Sequence, residues 1–159
     1  MPVLLQNRQR AVAINSARLG RAAETVLSAV RNDQAELSLL LVSDRRMRAL
    51  NRRYRNKDKT TDVLAFPLLE RCSAKTSQLR TPQALSSRVP LLLGDVAISV
   101  PTAKRQAAAR GHGLFDELVR LLVHGVLHLV GYDHARGPRE AARMARKERA
   151  ILKKIQQGK

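Results

Sequence analysis

The segment from Leu114 to Val130, LFDELVRLLVHGVLHLV, is apolar around almost its whole helical circumference. A helix with this pattern has no continuous polar face to turn toward water, so we expect it to lie buried at the centre of the fold. Gly131 follows it and is typical of the left-handed residue that ends a helix. The other elements of the chain must therefore pack around this one helix.

Shorter apolar and amphipathic segments alternate along the rest of the chain. Strand-length apolar runs lie at residues 2–7, 36–43, 62–67 and 91–100, and helical spacing occurs at 17–30, 44–55, 138–155 and from residue 102 onward. Ser43 and Asp44 provide N-cap residues for the second of these helices. Gly94 indicates a bulge or a close backbone approach in the last strand. Because strands and helices interleave, the sequence predicts an α/β or α+β fold with a small mixed β-sheet flanked by helices.

Chain length favours a single domain over residues 1–159. A domain of this size buries roughly 70% of the surface that its unfolded chain exposes. Between residues 70 and 90 the sequence turns polar and contains two prolines, which predicts a flexible surface loop. Cys72 falls in this segment and is the sole cysteine, so the chain has neither an internal disulfide nor a cysteine-based zinc knuckle.

The charge balance is strongly basic, with 30 lysines and arginines against 13 acidic residues and a net charge of +17. Such an excess favours polyanionic partners such as nucleic acid. A membrane partner is not expected, because no basic helix has a large apolar face rich in Trp or Phe. No apolar run reaches the roughly 18 residues of a membrane span. The N-terminus lacks a secretory pattern, so the expected location is the cytoplasm. Aromatic residues make up 3% of the chain, which argues against a platform that stacks several RNA bases.

Three of the four histidines lie in the segment HGVLHLVGYDH, with the spacing H-x3-H-x5-H. His124 and His128 are four residues apart, so their side chains project side by side from one face of the helix. Gly131 then turns the chain, which allows His134 to approach from the following loop. Three imidazoles that converge in this way form a three-ligand site with one open coordination position, the arrangement of catalytic zinc.

One zinc ion is the expected occupant, although nitrogen ligands also suit nickel, copper or iron. Bound zinc would lower the pKa of water toward about 7 and polarise a substrate oxygen. Asp133 either orients a metal ligand through a hydrogen bond or serves as a turn residue. His112, the fourth histidine, has no partner at ligand spacing and is expected to be exposed.

A zinc peptidase with this spacing would have a glutamate directly after the first histidine, where this chain has Gly125. Glycine cannot accept a proton, so peptide hydrolysis is disfavoured. Phosphodiester cleavage depends more on positive charge placed around the transition state. Eight basic residues against two acids lie between Asp44 and Lys59: Arg45, Arg46, Arg48, Arg52, Arg53, Arg55, Lys57 and Lys59. Together they predict a surface that follows a phosphate backbone.

Three motifs, in this order, resemble those of the YbeY family, the bacterial and organellar proteins described as metal-dependent endoribonucleases. They are NRRYRNKDKTTDVLAFP at 51–67, LGDVAIS at 93–99 and the histidine segment at 124–134. The resemblance covers essentially the whole chain. Thr60 stands where the family often has proline, Ala65 stands where serine is usual, and the 70–90 segment is longer than typical.

The resemblance implies a single α/β domain with zinc held by His124, His128 and His134. It also implies that Arg55 lies in the active-site channel and contacts the RNA phosphate. The basic residues around it, Arg52, Arg53, Lys57 and Lys59, are further RNA-binding candidates. The family role implied is single-strand-specific cleavage in maturation of the 3′ end of small-subunit ribosomal RNA and in ribosome quality control. Ribosomal proteins and a ribosome-associated GTPase are the implied protein partners.

The leading hypothesis is therefore a zinc-dependent endoribonuclease, in which the metal activates water or stabilises the phosphorane during attack by a ribose 2′-OH. The alternative is a ribosome assembly factor that binds ribosomal RNA and has a mainly structural metal. A metallopeptidase is disfavoured by Gly125 and by the basic charge.

Overall fold

The computed structural model describes residues 3–67 and 91–158 of the chain. Within these ranges the strands are β1 (Val3–Asn7), β2 (Ala35–Val42), β3 (Val63–Pro67) and β4 (Leu91–Ser99). They form one sheet in the order β1-β2-β4-β3. The β1–β2 and β2–β4 pairs are parallel, whereas β3 runs antiparallel to β4. The predicted small mixed sheet is confirmed.

Each segment with helical spacing forms a helix. The helices are α1 (Ser16–Ala29), α2 (Asp44–Arg55), α3 (Val100–Arg110), α4 (Leu114–Leu129) and α5 (Pro138–Gln157), with a short 3₁₀ turn at His134–Arg136. Helix α3 begins before Thr102, because Pro101 is accommodated in the first helical turn. Ser43 caps α2, since its side chain accepts a hydrogen bond from the backbone N–H of Arg46.

Helix α4 occupies the centre of the molecule, as its sequence predicts. Leu118, Leu121, Leu122 and Leu127 are each 1% exposed or less. The helix contacts β3 and β4 and packs against α1, α3 and α5. Full burial of one leucine side chain stabilises a fold by about 1.5–3 kcal/mol, so this helix is a major source of stability. His124 and His128, near its C-terminal end, therefore lie on a well-packed, rigid helix.

The two faces of the sheet are covered differently. Successive residues of a strand point to opposite faces. Val63 and Ala65 of β3 accordingly pack with the main core, which contains α4. Leu64 and Phe66 instead pack with Met47 of α2 in a second, smaller cluster. Helix α2 thus lies on the face opposite α4, and β3 separates its C-terminal end from the histidine-bearing helix.

Gly94 produces the irregularity predicted for β4. Glu36 of β2 pairs with Leu92, and the next residue, Leu37, pairs with Gly94, so one residue of β4 is bulged out. The φ angle of Gly94 is +148°, and a Cβ atom there would lie 2.5 Å from the carbonyl oxygen of Phe66. This position therefore requires glycine, both for its backbone conformation and for the close approach of β3.

The flexible loop predicted at residues 70–90 and the predicted cytoplasmic location are not tested by the structure. The loop, with Cys72 in it, lies outside the described residues. Among the helices that the structure describes, none combines the length and apolar character required to cross a membrane. The cytoplasmic location stays a prediction.

Candidate metal centre

The structure brings the three predicted histidines together. His124 and His128 lie one turn apart near the C-terminal end of α4, and His134 begins the 3₁₀ turn. One ring nitrogen from each lies within 4.8 Å of the others. The ring centroids are 4.7 Å apart for His124 and His128, 5.4 Å for His124 and His134, and 5.1 Å for His128 and His134. This separation matches three ligands around one ion.

The turn after α4 places His134 beside His124 and His128. Gly131 has a φ angle of +103°, and the backbone N–H of Tyr132 donates to the carbonyl of Leu127, which ends the helix. Asp133 then accepts a hydrogen bond of 2.9 Å from the backbone N–H of Ala135. No hydrogen bond found among the described residues joins Asp133 to a histidine ring. Asp133 also forms an ion pair with Arg136 at 3.5 Å, so its observed role is that of a turn residue that holds the backbone around His134.

The protonation state of His128 suits metal binding. Burial lowers the pKa of His128, and the nearby His124 and His134 lower it further. Asp133 and a backbone hydrogen bond with Tyr132 oppose this effect but do not reverse it. The ring is therefore neutral near pH 7, the form in which imidazole binds a metal. Three imidazole nitrogens with one open side fit a divalent cation such as Zn²⁺.

Glu148 is a candidate functional residue that the sequence analysis missed. Its carboxylate lies on α5, and Oε1 is 2.5 Å from Nδ1 of His124. A carboxylate at this distance accepts a hydrogen bond from Nδ1–H, which fixes the ring and makes Nε2 the nitrogen that is available to a metal. Nε2 of His124 faces His128, with 3.2 Å between their Nε2 atoms. The proton on the outer nitrogen thus directs the inner one toward the metal position.

Replacing Glu148 with glutamine is expected to weaken Zn²⁺ affinity by about tenfold, because loss of such an outer carboxylate typically costs 10–100-fold. Competition with a chromogenic chelator would measure it. Glu140→Gln is the matched control, since Glu140 lies on the same helix and its ion-pair contact is with Arg143 at 3.9 Å. Equal affinities for the two variants would show that Glu148 does not support His124.

The histidines open onto a cleft of about 590 Å³. Besides the histidine segment, its lining includes Arg55 from the end of α2, Asp62 before β3 and Ala65 within β3. Arg55 is exposed, as is His134. The metal site is therefore accessible from solvent and has a guanidinium group in the same cleft.

Packing explains why no glutamate follows the first histidine. A Cβ atom at Gly125 would lie 2.8 Å from Cγ1 of Val96 and 3.4 Å from Cγ2 of Val63. Val96 is fully buried in β4, so its methyl groups have little room to move aside. The backbone of α4 approaches the sheet so closely here that any side chain would overpack the interface. A glutamate at this position is thus disfavoured by the packing as well as absent from the sequence.

Gly125→Ala is expected to lower the free energy of unfolding by about 1 kcal/mol, because overpacking costs about 1–3 kcal/mol and the gain in helix propensity returns about 0.5–1 kcal/mol. The melting temperature should fall by roughly 2–4 °C. Gly20→Ala is the matched control: it lies inside α1 with no atom within 4 Å of the added Cβ. That variant should gain stability, and a gain at both positions would contradict the close approach at Gly125.

The remaining basic candidates lie outside the cleft lining. Arg52, Arg53, Lys57 and Lys59 are exposed, on the last turn of α2 and the loop that follows it. The loop is anchored: the buried Asn51 side chain donates to the carbonyl of Lys59 at 2.8 Å, and Arg48 donates two hydrogen bonds to Asp58. These candidates form a basic margin beside Arg55, and their contact with RNA stays a prediction.

His112 is exposed, as predicted, but it has a partner. Its Nε2 atom lies 2.5 Å from Oε2 of the fully buried Glu117. Burial alone would raise the pKa of Glu117, but hydrogen bonds from Arg120 and His112 and the charges of Arg120 and Arg110 lower it overall. This ion cluster joins α3 to α4 and lies apart from the metal centre.

A family model described as Endoribonuclease YbeY matches residues 4–156 of the chain. The chain belongs to the YbeY family. A protein named Endoribonuclease YbeY from Pelotomaculum thermopropionicum is 44% identical over 159 residues, which cover 98% of this chain and 97% of that protein. Its namesake from Geobacter metallireducens is 40% identical over 153 residues, with coverage of 96% and 94%.

Not every YbeY relative has the same length. The Endoribonuclease YbeY of Anaeromyxobacter dehalogenans is 46% identical over 136 residues, and these cover 86% of this chain but 62% of that protein. The solution structure of TM1509 from Thermotoga maritima matches with a TM-score of 0.62 at 21% identity, over 96% of this chain and 88% of that one. That similarity supports the fold. Membership in the YbeY family confirms the resemblance predicted from the three motifs.

Proposed function

We propose that this protein is a zinc-dependent endoribonuclease that cleaves single-stranded RNA. The observation on which this rests is the solvent-accessible trio of His124, His128 and His134 in one cleft with Arg55. The relatives named Endoribonuclease YbeY and the net charge of +17 support RNA as the substrate. The biological role that we infer is maturation of the 3′ end of small-subunit ribosomal RNA and ribosome quality control in the cytoplasm. Ribosomal proteins and a ribosome-associated GTPase are the proposed partners.

In the proposed reaction, the residues at the cleft have different roles. A bound divalent cation would supply Lewis acidity, which polarises a phosphoryl oxygen and lowers the pKa of water. The three imidazoles would hold that ion, and Glu148 would fix the orientation of His124. Arg55 would place positive charge beside the non-bridging oxygens, where negative charge develops in the transition state. No dedicated base is required at position 125.

Among the residues that the structure describes, two carboxylates line the cleft, and both have structural partners. Asp62 accepts hydrogen bonds from the backbone N–H of Val63 and, through its other oxygen, from Gln106. Asp133 is engaged by Ala135. Both carboxylates therefore hold the local structure beside the cleft. The ends of the cleaved RNA distinguish the two routes to the product, because attack by the ribose 2′-OH leaves a 2′,3′-cyclic phosphate and attack by water leaves a monoester.

The openness of the site favours catalysis over a purely structural metal. Structural zinc sites are closed by four protein ligands, whereas catalytic sites have three and an accessible fourth position. Here one ring nitrogen from each of three histidines meets beside a cleft of about 590 Å³, and His134 is exposed. An assembly factor that uses its metal only for stability would not need this access.

The test combines metal analysis with RNA cleavage. Purified protein is expected to contain one equivalent of zinc by mass spectrometry and to cleave single-stranded RNA faster than a duplex of the same sequence. A chelator should stop cleavage, and added Zn²⁺ should restore it. A variant with alanine at His124, His128 and His134 controls for contaminating nucleases. Equal cleavage by this variant and by the unaltered protein would refute the proposed activity and leave the assembly factor as the better explanation.

A further inference from the structure

The face of the sheet opposite α4 contains a second cavity, of about 800 Å³. We call it the sheet-face groove. It lies between the strands and the C-terminal half of α2, and its lining includes Gln6, Ser38, Leu40, Tyr54, Phe66 and Asp95. The metal cleft lies beside the opposite face, so the two cavities flank β3.

Tyr54 is the most accessible aromatic side chain in this groove. It is 53% exposed although it is large and mostly apolar. Its ring is nevertheless held in place, because it contacts the Phe66 ring edge-on at 5.1 Å between centroids and has the guanidinium of Arg53 at 5.4 Å. An exposed ring that is already ordered loses little entropy when a flat ligand stacks on it.

The groove and the metal cleft share three lining residues. Arg55, Ala65 and Pro67 line both cavities, which therefore meet at the end of α2 and along β3. Arg55 directly follows Tyr54 at the end of α2, so the proposed phosphate-binding group is adjacent to the exposed ring. A strand of RNA held at Arg55 can therefore pass around β3 from one cavity to the other.

We propose that the sheet-face groove binds one or more nucleobases of the RNA strand whose scissile phosphate lies in the metal cleft, with Tyr54 as the stacking surface. This inference rests on the proposed endoribonuclease function. It agrees with the expectation that the sparse aromatic residues do not form a platform for several bases, because a single ordered ring suffices for one base.

The polar lining of the groove suits bases better than phosphates. Asp95 is exposed on β4, and its carboxylate would repel a phosphate. A carboxylate accepts a hydrogen bond from the amino group of a base such as cytosine. Ser38 and Gln6, on the neighbouring strands, offer further polar groups at the same surface. The positive charge of Arg55 and the negative charge of Asp95 therefore favour an arrangement in which the RNA phosphates lie beside Arg55 and the RNA bases lie in the groove.

The test is the kinetics of RNA cleavage by the metal-loaded full chain. Tyr54→Ala is expected to raise KM about tenfold with little change in kcat, because stacking on an aromatic side chain contributes to binding rather than to the chemical step. Tyr54→Phe should behave like the unaltered protein. Leu4→Ala is the matched control, since Leu4 is also exposed, at 61%, but does not line the groove.

Two further readouts separate stacking from charge and from a general structural effect. Tyr54→Ala should leave the salt dependence of KM unchanged, since no phosphate contact is lost, whereas Arg55→Gln should make it shallower. RNA containing 4-thiouridine should crosslink to Tyr54 or Phe66 on irradiation. A Tyr54→Ala variant with unaltered KM, or crosslinks confined to the metal cleft, would overturn this inference and leave the endoribonuclease intact. Unaltered protein that neither crosslinks nor cleaves RNA would refute both.

Discussion

Replacing His128 with alanine is expected to remove both the metal and the RNA-cleaving activity of the protein. Two nitrogens from α4 and one from the turn would form the proposed ligand set, so the variant would retain two ligands. We expect less than roughly a tenth of the original metal content, because removal of even an outer supporting group weakens binding 10–100-fold. Mass spectrometry of the purified protein and the chelator-sensitive cleavage assay measure the two effects.

His112→Gln is the matched control for this experiment. It also removes a histidine, but one whose partner is Glu117 and whose place is outside the metal centre. Glutamine can still donate a hydrogen bond to that carboxylate. The control should retain metal and activity. Full zinc content in the His128 variant would show that the ion is bound elsewhere in the protein.

Arg55→Glu is expected to separate the two effects: the variant should retain the metal but lose RNA cleavage. Arg55 lines the cleft, and metal ligation is assigned to the three histidines. Removing one group that stabilises transition-state charge typically lowers kcat by about 100–1000-fold. A glutamate would also repel the phosphate. Single-turnover cleavage together with metal analysis distinguishes this result from that of the histidine variant.

Arg45→Glu makes the same change of charge at the other end of α2. Arg45 is exposed and does not line the cleft. If net charge alone guided RNA to the protein, the two variants would lose activity equally. We expect Arg45→Glu to retain a cleavage rate within about threefold of the original, since one remote charge changes only long-range attraction. Equal losses would remove the specific role of Arg55.

The helices and strands were predictable because their signals are local. The apolar circumference of α4 and the short apolar run of β2 each lie within one segment of sequence. Strand order and pairing were not predictable at the same level, because they depend on contacts between distant parts of the chain. The antiparallel partner of β3 is β4, and residues 68–90 separate them in sequence. A mixed sheet could be predicted, but not the position of its antiparallel strand.

The candidate metal centre likewise contains residues that local sequence signals predict and one residue that only a distant contact reveals. His124 and His128 could be predicted from helical geometry, and His134 from the glycine that turns the chain toward them. Glu148 could not, because it lies 24 residues after His124 on another helix. One hint exists: Glu140 and Glu148 are the two acidic residues of an otherwise basic α5. The groove was missed for a related reason, since Tyr54 and Phe66 meet only when α2 packs on β3.

The contact between Glu148 and His124 has a consequence beyond catalysis. It joins α5 to the candidate ligand set, so metal occupancy and attachment of that helix would be thermodynamically linked. An ion that binds the folded chain alone stabilises it by about 2.7 kcal/mol at a free concentration of 100 times its Kd. Cells starved of that metal would then hold less of the folded protein, and proteolysis of a loosened C-terminal segment would report the shortage.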